Sequence, residues 1–224
     1  MTTSNTDCSK CAAKSKGFMC STSQAISEKI SSVKAHCRYK NGESIFRSGE
    51  TPLGLFSVRS GIVKLESLNE EGHAHTLRLL GAGDILGYRS FFSGGPYSSS
   101  AVVIEEAEIC FVPGNEARRL FASHAELGLK MISQLSSDLQ HAETKWVDQI
   151  DKGAAARVAD ALLFLNERFQ GSHWTRREIA EWAGTTTETV IRCLAQLEKE
   201  GIITQKYKNF VILSEPRLRE KAAA

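Results

Sequence analysis

Three cysteines sit close together near the start of the chain: Cys8, Cys11 and Cys20, spaced C-x2-C-x8-C in a stretch of Ser, Thr and Lys. That spacing suits three thiolate ligands to one centre, and a fourth ligand must come from elsewhere. Cys110 is the candidate. In Ala107-Glu108-Ile109-Cys110-Phe111-Val112, alternation along a strand turns Cys110 away from Ile109 and Phe111 and onto the side of Glu108, free to meet the N-terminal segment. Four thiolates suit zinc as well as iron–sulfur chemistry, and a nearby pair could work as a dithiol switch. Packing alone, with no ligand, is the plain alternative. Cys37 reads as preceding the first strand, either packed or a substitute ligand, and Cys193 as packing beside the core face of its helix.

A second constellation lies between Trp174 and Ile203. Thr175-Arg176-Arg177-Glu178 has the spacing of a capping box, in which Thr175 accepts from the helix N-terminus and Glu178 reaches back. A short helix follows, Gly184 supplies a turn, and Thr185-Thr186-Thr187-Glu188 starts another helix. Two capped helices joined by a short glycine-containing turn predict a helix-turn-helix. On the second helix Val190, Leu194 and Leu197 form the core face. Thr187, Glu188, Ile191 and Arg192 fall on the other side near its N-terminus, where a recognition helix meets the major groove. Arg192 can bond guanine O6 and N7, and Glu188 can accept from cytosine N4. The competing reading is an i, i+4 ion pair between Glu188 and Arg192 on a solvated face. Beyond Glu200-Gly201, two short apolar runs flank Tyr207-Lys208-Asn209 as a β wing, with Lys206 and Lys208 available to phosphate.

These residues need elements to position them. Within 26–112, glycines punctuate short apolar runs, the pattern of an antiparallel barrel or jelly roll. Residues 115–152 change to helical spacing. Ile132, Leu135, Leu139, Ala142 and Trp146 make a narrow seam suited to pairing of two helices across a dimer axis, against the alternative of a helix packed on its own domain. The fold class expected is α+β: a cupin-like antiparallel β-roll sensor domain, a long dimerisation helix and a C-terminal winged helix-turn-helix. The boundaries expected are a Cys-rich segment over 1–25, the β-roll over 26–125, the helix over 126–152 and the DNA-binding domain over 153–224.

The chain has 224 residues, 42% hydrophobic and 24% charged, with a net charge of +2 that neither demands nor excludes nucleic acid. No apolar run reaches the roughly 18 residues of a membrane span, and Met1–Asp7 is polar, unlike a secretory signal. A cytoplasmic protein with reduced thiols is expected. His73-Ala74-His75 resembles half of a cupin metal site, but Leu79 and Leu80 stand where that site needs a carboxylate, so no enzyme is expected.

This order of parts resembles the CRP/FNR family of transcription regulators. The resemblance rests on Gly49-Glu50 to Gly61, Gly83-Asp84-Ile85-Leu86-Gly87 and Thr187-Glu188-Thr189-Val190-Ile191-Arg192. It implies a homodimer on a palindromic double-stranded DNA operator, contact with RNA polymerase, and base reading by Glu188 and Arg192. Small residues are usual in the family's best-known members at the place of Ile191, which here could touch a thymine methyl. The family's cyclic-nucleotide binders carry a Glu and an Arg where this chain has Tyr88 and Ser99, with Arg89 one position away from the former. The cysteines are similar to the ligand set of the FNR-type oxygen sensors, which implies a [4Fe-4S] cluster on Cys8, Cys11, Cys20 and Cys110. Another effector (haem, a nucleotide or a small molecule) stays open as the alternative.

Overall fold

The computed structural model describes residues 8, 11, 13, 17–206 and 209–223, the side chain of Lys206 excepted. They form two compact units, one within 1–68 and 77–137, the other within 69–76 and 138–224.

In the first unit, helix α1 (Gln24–Val33) leads into strands β1 (Ala35–Tyr39), β2 (Ser44–Phe46), β3 (Gly54–Leu68), β4 (Ala74–Leu80), β5 (Ile85–Leu86) and β6 (Ser100–Pro113). The sheet order is β1-β6-β3-β4, with β2 on β6 and β5 on β3; β6 pairs antiparallel with β1, β2 and β3. Long strands must bend to wrap a core, and β3 does so at a register shift around Gly61, whose φ is +82°. A Cβ there would stand 2.2 Å from the Glu106 carbonyl oxygen.

Alternation along β6 sorts two cores. Val103, Ala107 and Ile109 line the inside of the roll with Phe46, Phe56 and Tyr97. Val112 faces the other way, into a cluster roofed by Ile26 and Ile30 of α1, Leu120 of α3 (Gly114–Ser123), and Leu127 and Met131 of α4 (Ala125–Asp151). Phe18, Met19, Cys8 and Cys20 are buried in that second cluster. These N-terminal residues are therefore packed on the helices and do not lie free.

The second unit holds the later turns of α4 and helices α5 (Ala154–Arg168), α6 (Arg176–Ala183), α7 (Thr187–Lys199) and α8 (Glu215–Ala222), with a hairpin of β7 (Ile203–Lys206) and β8 (Asn209–Ile212). Lys145 of α4 lies 3.7 Å from the Trp182 ring centre, and Trp182 is stacked on Phe164.

Two expectations are corrected, and one helix is new. Cys37 lies inside the first strand, in register with Ile109, because β1 begins two residues before it. Helices α1 and α2 (Tyr88–Ser93) occupy parts of the stretch read as strands. In α1 Ile26, Ile30 and Val33 carry the helical period, and only the first two are fully buried, too short a stripe to stand out among serines. The chain also closes on α8, started by Pro216 and anchored by Leu218 and Ala222.

Candidate DNA-reading helix and thiol cluster

The helix-turn-helix forms as its local chemistry dictates. Thr175 accepts from the Glu178 backbone N–H, and the Glu178 carboxylate accepts from the Thr175 backbone N–H at 2.7 Å. Gly184 ends α6 at φ +63°, and Thr186 caps α7 by accepting from the Thr189 N–H. Val190, Leu194 and Leu197 are buried, whereas Glu188, Ile191 and Arg192 are exposed and Thr187 is half-buried. Arg192 donates to Thr189 Oγ1 at 3.4 Å and not to Glu188. The carboxylate and the guanidinium are thus presented separately on one exposed face, each with hydrogen-bonding capacity to spare. The wing is braced on this motif: Gln205 donates through its backbone and side-chain amides to Glu198, and its side-chain oxygen accepts from Arg176. Hydrogen bonds from Gln205 hold the Glu198 carboxyl below its usual range. Lys208 and the Lys206 side chain lie outside the described residues.

On α4, Ile132, Leu139 and Trp146 are between 60% and 69% exposed in the single chain, Leu135 less so, and Ala142 is exposed. Leu129, Val147 and Ile150 extend the same apolar surface beyond the residues singled out by spacing.

The thiols meet in the first unit. Cys20 lies within thiol hydrogen-bonding range of Cys8 and Cys11, and Cys110 feels the charges of Cys8 and Cys11. All are free cysteines. The polar partners come from the junction of α1 and β1. Lys34 Nζ is 2.9 Å from Cys8 Sγ, Ser31 Oγ accepts from the Cys8 N–H, and His36 Nδ1 is 3.7 Å from Cys110 Sγ, its register partner across the sheet. The Cys20 thiol, against burial and with help from Lys34 and Ser31, lowers the Cys8 pKa to about 5. The same hydrogen bond, with burial, pushes Cys20 up; burial raises Cys110 to about 11, opposed by Lys34. Among the described residues no three or more Cys, His, Asp or Glu side chains are arranged so that they could hold a metal ion. The donor set is soft, buried except at Cys11, and next to the Lys34 cation, which is chemistry that suits a thiolate-held centre carrying net negative charge. Nothing in the sequence alone marked Lys34 or His36, because both act across the fold.

Side chains crowd the roll interior beside Leu65, Tyr88 and Ser99. Phe46 and Tyr97 stack at 3.8 Å, and the Tyr88 hydroxyl accepts from Arg78 at 2.6 Å. The space left beside Leu65, Tyr88 and Ser99 is about 20 Å³, room for about one water.

A β-roll followed by a long helix and a winged helix-turn-helix defines a DNA-binding transcriptional regulator. Residues 36–124 match the cyclic nucleotide-binding domain and residues 156–221 the Crp-like helix-turn-helix domain. The chain is 32% identical over 167 residues to the cyclic AMP receptor protein of Thermus thermophilus, covering 74% of this chain and 77% of that one. It is 25% identical over 192 residues to the fumarate and nitrate reduction regulatory protein of Escherichia coli K12, covering 82% and 76%. Among solved structures, a CRP/FNR-family transcriptional regulator from Thermus thermophilus superposes with a TM-score of 0.72 at 27% identity, covering 84% of this chain and 98% of that one. The protein belongs to the CRP/FNR family. These relatives are regulators and not enzymes, and among the described residues no helix is long and apolar enough to cross a membrane.

Proposed function

We propose that this regulator reads oxygen or redox state through a [4Fe-4S] cluster held by Cys8, Cys11, Cys20 and Cys110, and reads DNA as a homodimer through Thr187, Glu188, Ile191 and Arg192. The observation that carries the effector reading is the proximity of Cys8, Cys11 and Cys20 to one another, with Cys110 of β6 near enough to feel the charges of Cys8 and Cys11. The crowded roll interior supports it further, since Tyr88 and Ser99 stand where a cyclic nucleotide would need a carboxylate and an arginine. Such a cluster, when bound, supplies an oxygen-labile centre whose properties follow its net charge, its hydrogen bonds and its exposure. The chain's own residues do the rest. Lys34, its Nζ 2.9 Å from Cys8 Sγ, favours the thiolate form a metal ligand requires. Burial of Cys8, Cys20 and Cys110 limits access of water and oxidant.

On DNA, Arg192 takes guanine and Glu188 takes cytosine, while Ile191 offers apolar contact to a thymine methyl. Lys206 and Lys208 of the wing hold phosphate. Ile132, Leu135, Leu139, Ala142 and Trp146 form the dimer seam. Two copies then present two recognition helices to a palindromic operator, and contact with RNA polymerase follows from the family resemblance.

The test is iron and acid-labile sulfide after strictly anaerobic purification. About four of each per chain, lost in air, is the expected result. Cys110→Ser should abolish both and leave the thermal unfolding transition in place. Zinc or no metal in the parent, or an unaltered iron and sulfide content in Cys110→Ser, would overturn the ligand assignment.

A further inference from the structure

Lys130 sits on the second turn of α4 and is half-buried. An ammonium has three N–H donors, and here they meet three oxygens: the Phe18 carbonyl at 2.7 Å, the Ser21 carbonyl at 2.8 Å and the Ser21 hydroxyl at 2.7 Å. The same Nζ is 5.1 Å from the Phe18 ring centre.

What it grips is the turn that carries Cys20. The backbone N–H groups of Cys20 and Ser21 both donate to the Gly17 carbonyl, so residues 17–21 form one isolated helical turn. The last carbonyls of such a turn have no following N–H to take, and a cation at that end satisfies them. One turn earlier on α4, Glu126 accepts from the Ser23 hydroxyl at 3.1 Å. The segment is thus fastened to α4 at two successive turns.

The position on α4 matters as much as the grip. Leu127 and Met131, on either side of Lys130, are buried in the sensor core, and Leu129 and Ile132 begin the exposed apolar face. A change in the Cys20 turn therefore has a direct mechanical route to the stretch of helix that carries Ile132. Reorienting the turn removes acceptors from an ammonium that is partly withdrawn from water, which favours a compensating shift of the helix.

We propose that Lys130 is the strap that transmits chemistry at Cys20 to the dimer seam of α4. This rests on the reading that Cys20 is a cluster ligand, and makes Lys130 a positioning residue that touches neither the thiols nor DNA.

The experiment is a double-mutant cycle in the full-length protein under anaerobic conditions, with Cys20→Ser, Lys130→Met and both together. Sedimentation gives the dimer dissociation constant of each, and iron and sulfide are measured on the same samples. Lys130→Met should keep the parent's iron and sulfide, a result that simple disruption of the site would not give. Cys20→Ser should weaken the dimer about tenfold in the parent background, within the usual span of allosteric coupling, and by less than about twofold in the Lys130→Met background. Additive effects overturn the strap whatever the metal content. Non-additive effects in a chain that carries neither iron nor sulfide uphold the strap and remove the cluster. Should Lys130→Met fail to fold, Lys130→Gln, which keeps a polar end but cannot supply three donors to these oxygens, enters the same cycle with the same criteria.

Discussion

At the scale of single residues, charge placement decides what each group can do. Glu188 and Arg192 share an exposed face one turn apart without spending their polar atoms on each other. Arg192→Ala should therefore cost about 1–3 kcal/mol of discrimination at the base it reads, while binding to unrelated duplex falls little. Competition titrations with operator and scrambled DNA at fixed salt measure this; equal losses on both would make Arg192 a phosphate contact. Lys145 shows the opposite economy. Burial lowers its pKa from 10.5 to about 8, although its ammonium donates to the Thr76 carbonyl and faces Trp182. Between pH 8 and 10.5 the unfolded chain binds a proton there that the folded chain does not. Stability from this site consequently rises with pH across that window, and the penalty is fully present below it. Lys145→Met lacks the penalty, so its stability relative to the parent should be greatest near pH 7 and decline towards pH 10. Urea unfolding at both pH values decides the matter, and a pH-independent difference would show that Lys145 titrates normally.

At the scale of elements, the sequence is readable where the determinants are local. The capping box at Thr175, the left-handed Gly184 and the core stripe of α7 all lie within a few residues of what they shape, and the second helix is capped by Thr186, one residue after the start of the Thr185–Glu188 pattern. Replacing Thr175 with Ala should cost about 0.5–2 kcal/mol, read as a lower unfolding midpoint with DNA specificity retained. Gly61 is local in one sense only. Its positive φ can be guessed from a glycine between apolar runs, but its approach to Glu106 comes from pairing between β3 and β6. Gly61→Ala should be more damaging than the loss of a cap, because strain and a backbone clash add, and soluble yield with thermal melting would show it. The same division explains the thiol site. Cys8, Cys11 and Cys20 could be grouped by spacing, and Cys110 by strand alternation. Lys34, His36 and Lys130 could not be found that way: Lys130 meets partners 109 and 112 residues away. Helices α1 and α8 escaped because each offers only two buried positions at helical spacing.

At the scale of the whole molecule, what matters is the apolar face that the single chain leaves uncovered. Helix α4 has 27 residues, about 40 Å of rod. Its first turns bury Leu127 and Met131, while Ile132, Leu139, Trp146 and Ile150 each stay at least 60% exposed. Four large side chains along one rod are more apolar surface than a monomeric protein usually leaves wet, and their spacing fits knobs of a paired helix. A second copy of α4 would cover them. Two recognition helices would then bind one duplex, and the second binding event becomes intramolecular, a gain of about 10²–10⁴ in avidity with no new contact in either half-site. Leu139→Glu should split the dimer, because each copy would bring a carboxylate to the same apolar seam. The expected result is a folded monomer in sedimentation whose operator affinity falls by a factor of about 10²–10⁴, with an unchanged helix-turn-helix melting signal. A variant that stays dimeric and binds operator like the parent would place the interface elsewhere on the chain. If the variant is monomeric yet binds operator at parental affinity, one recognition helix suffices and the palindromic reading is lost.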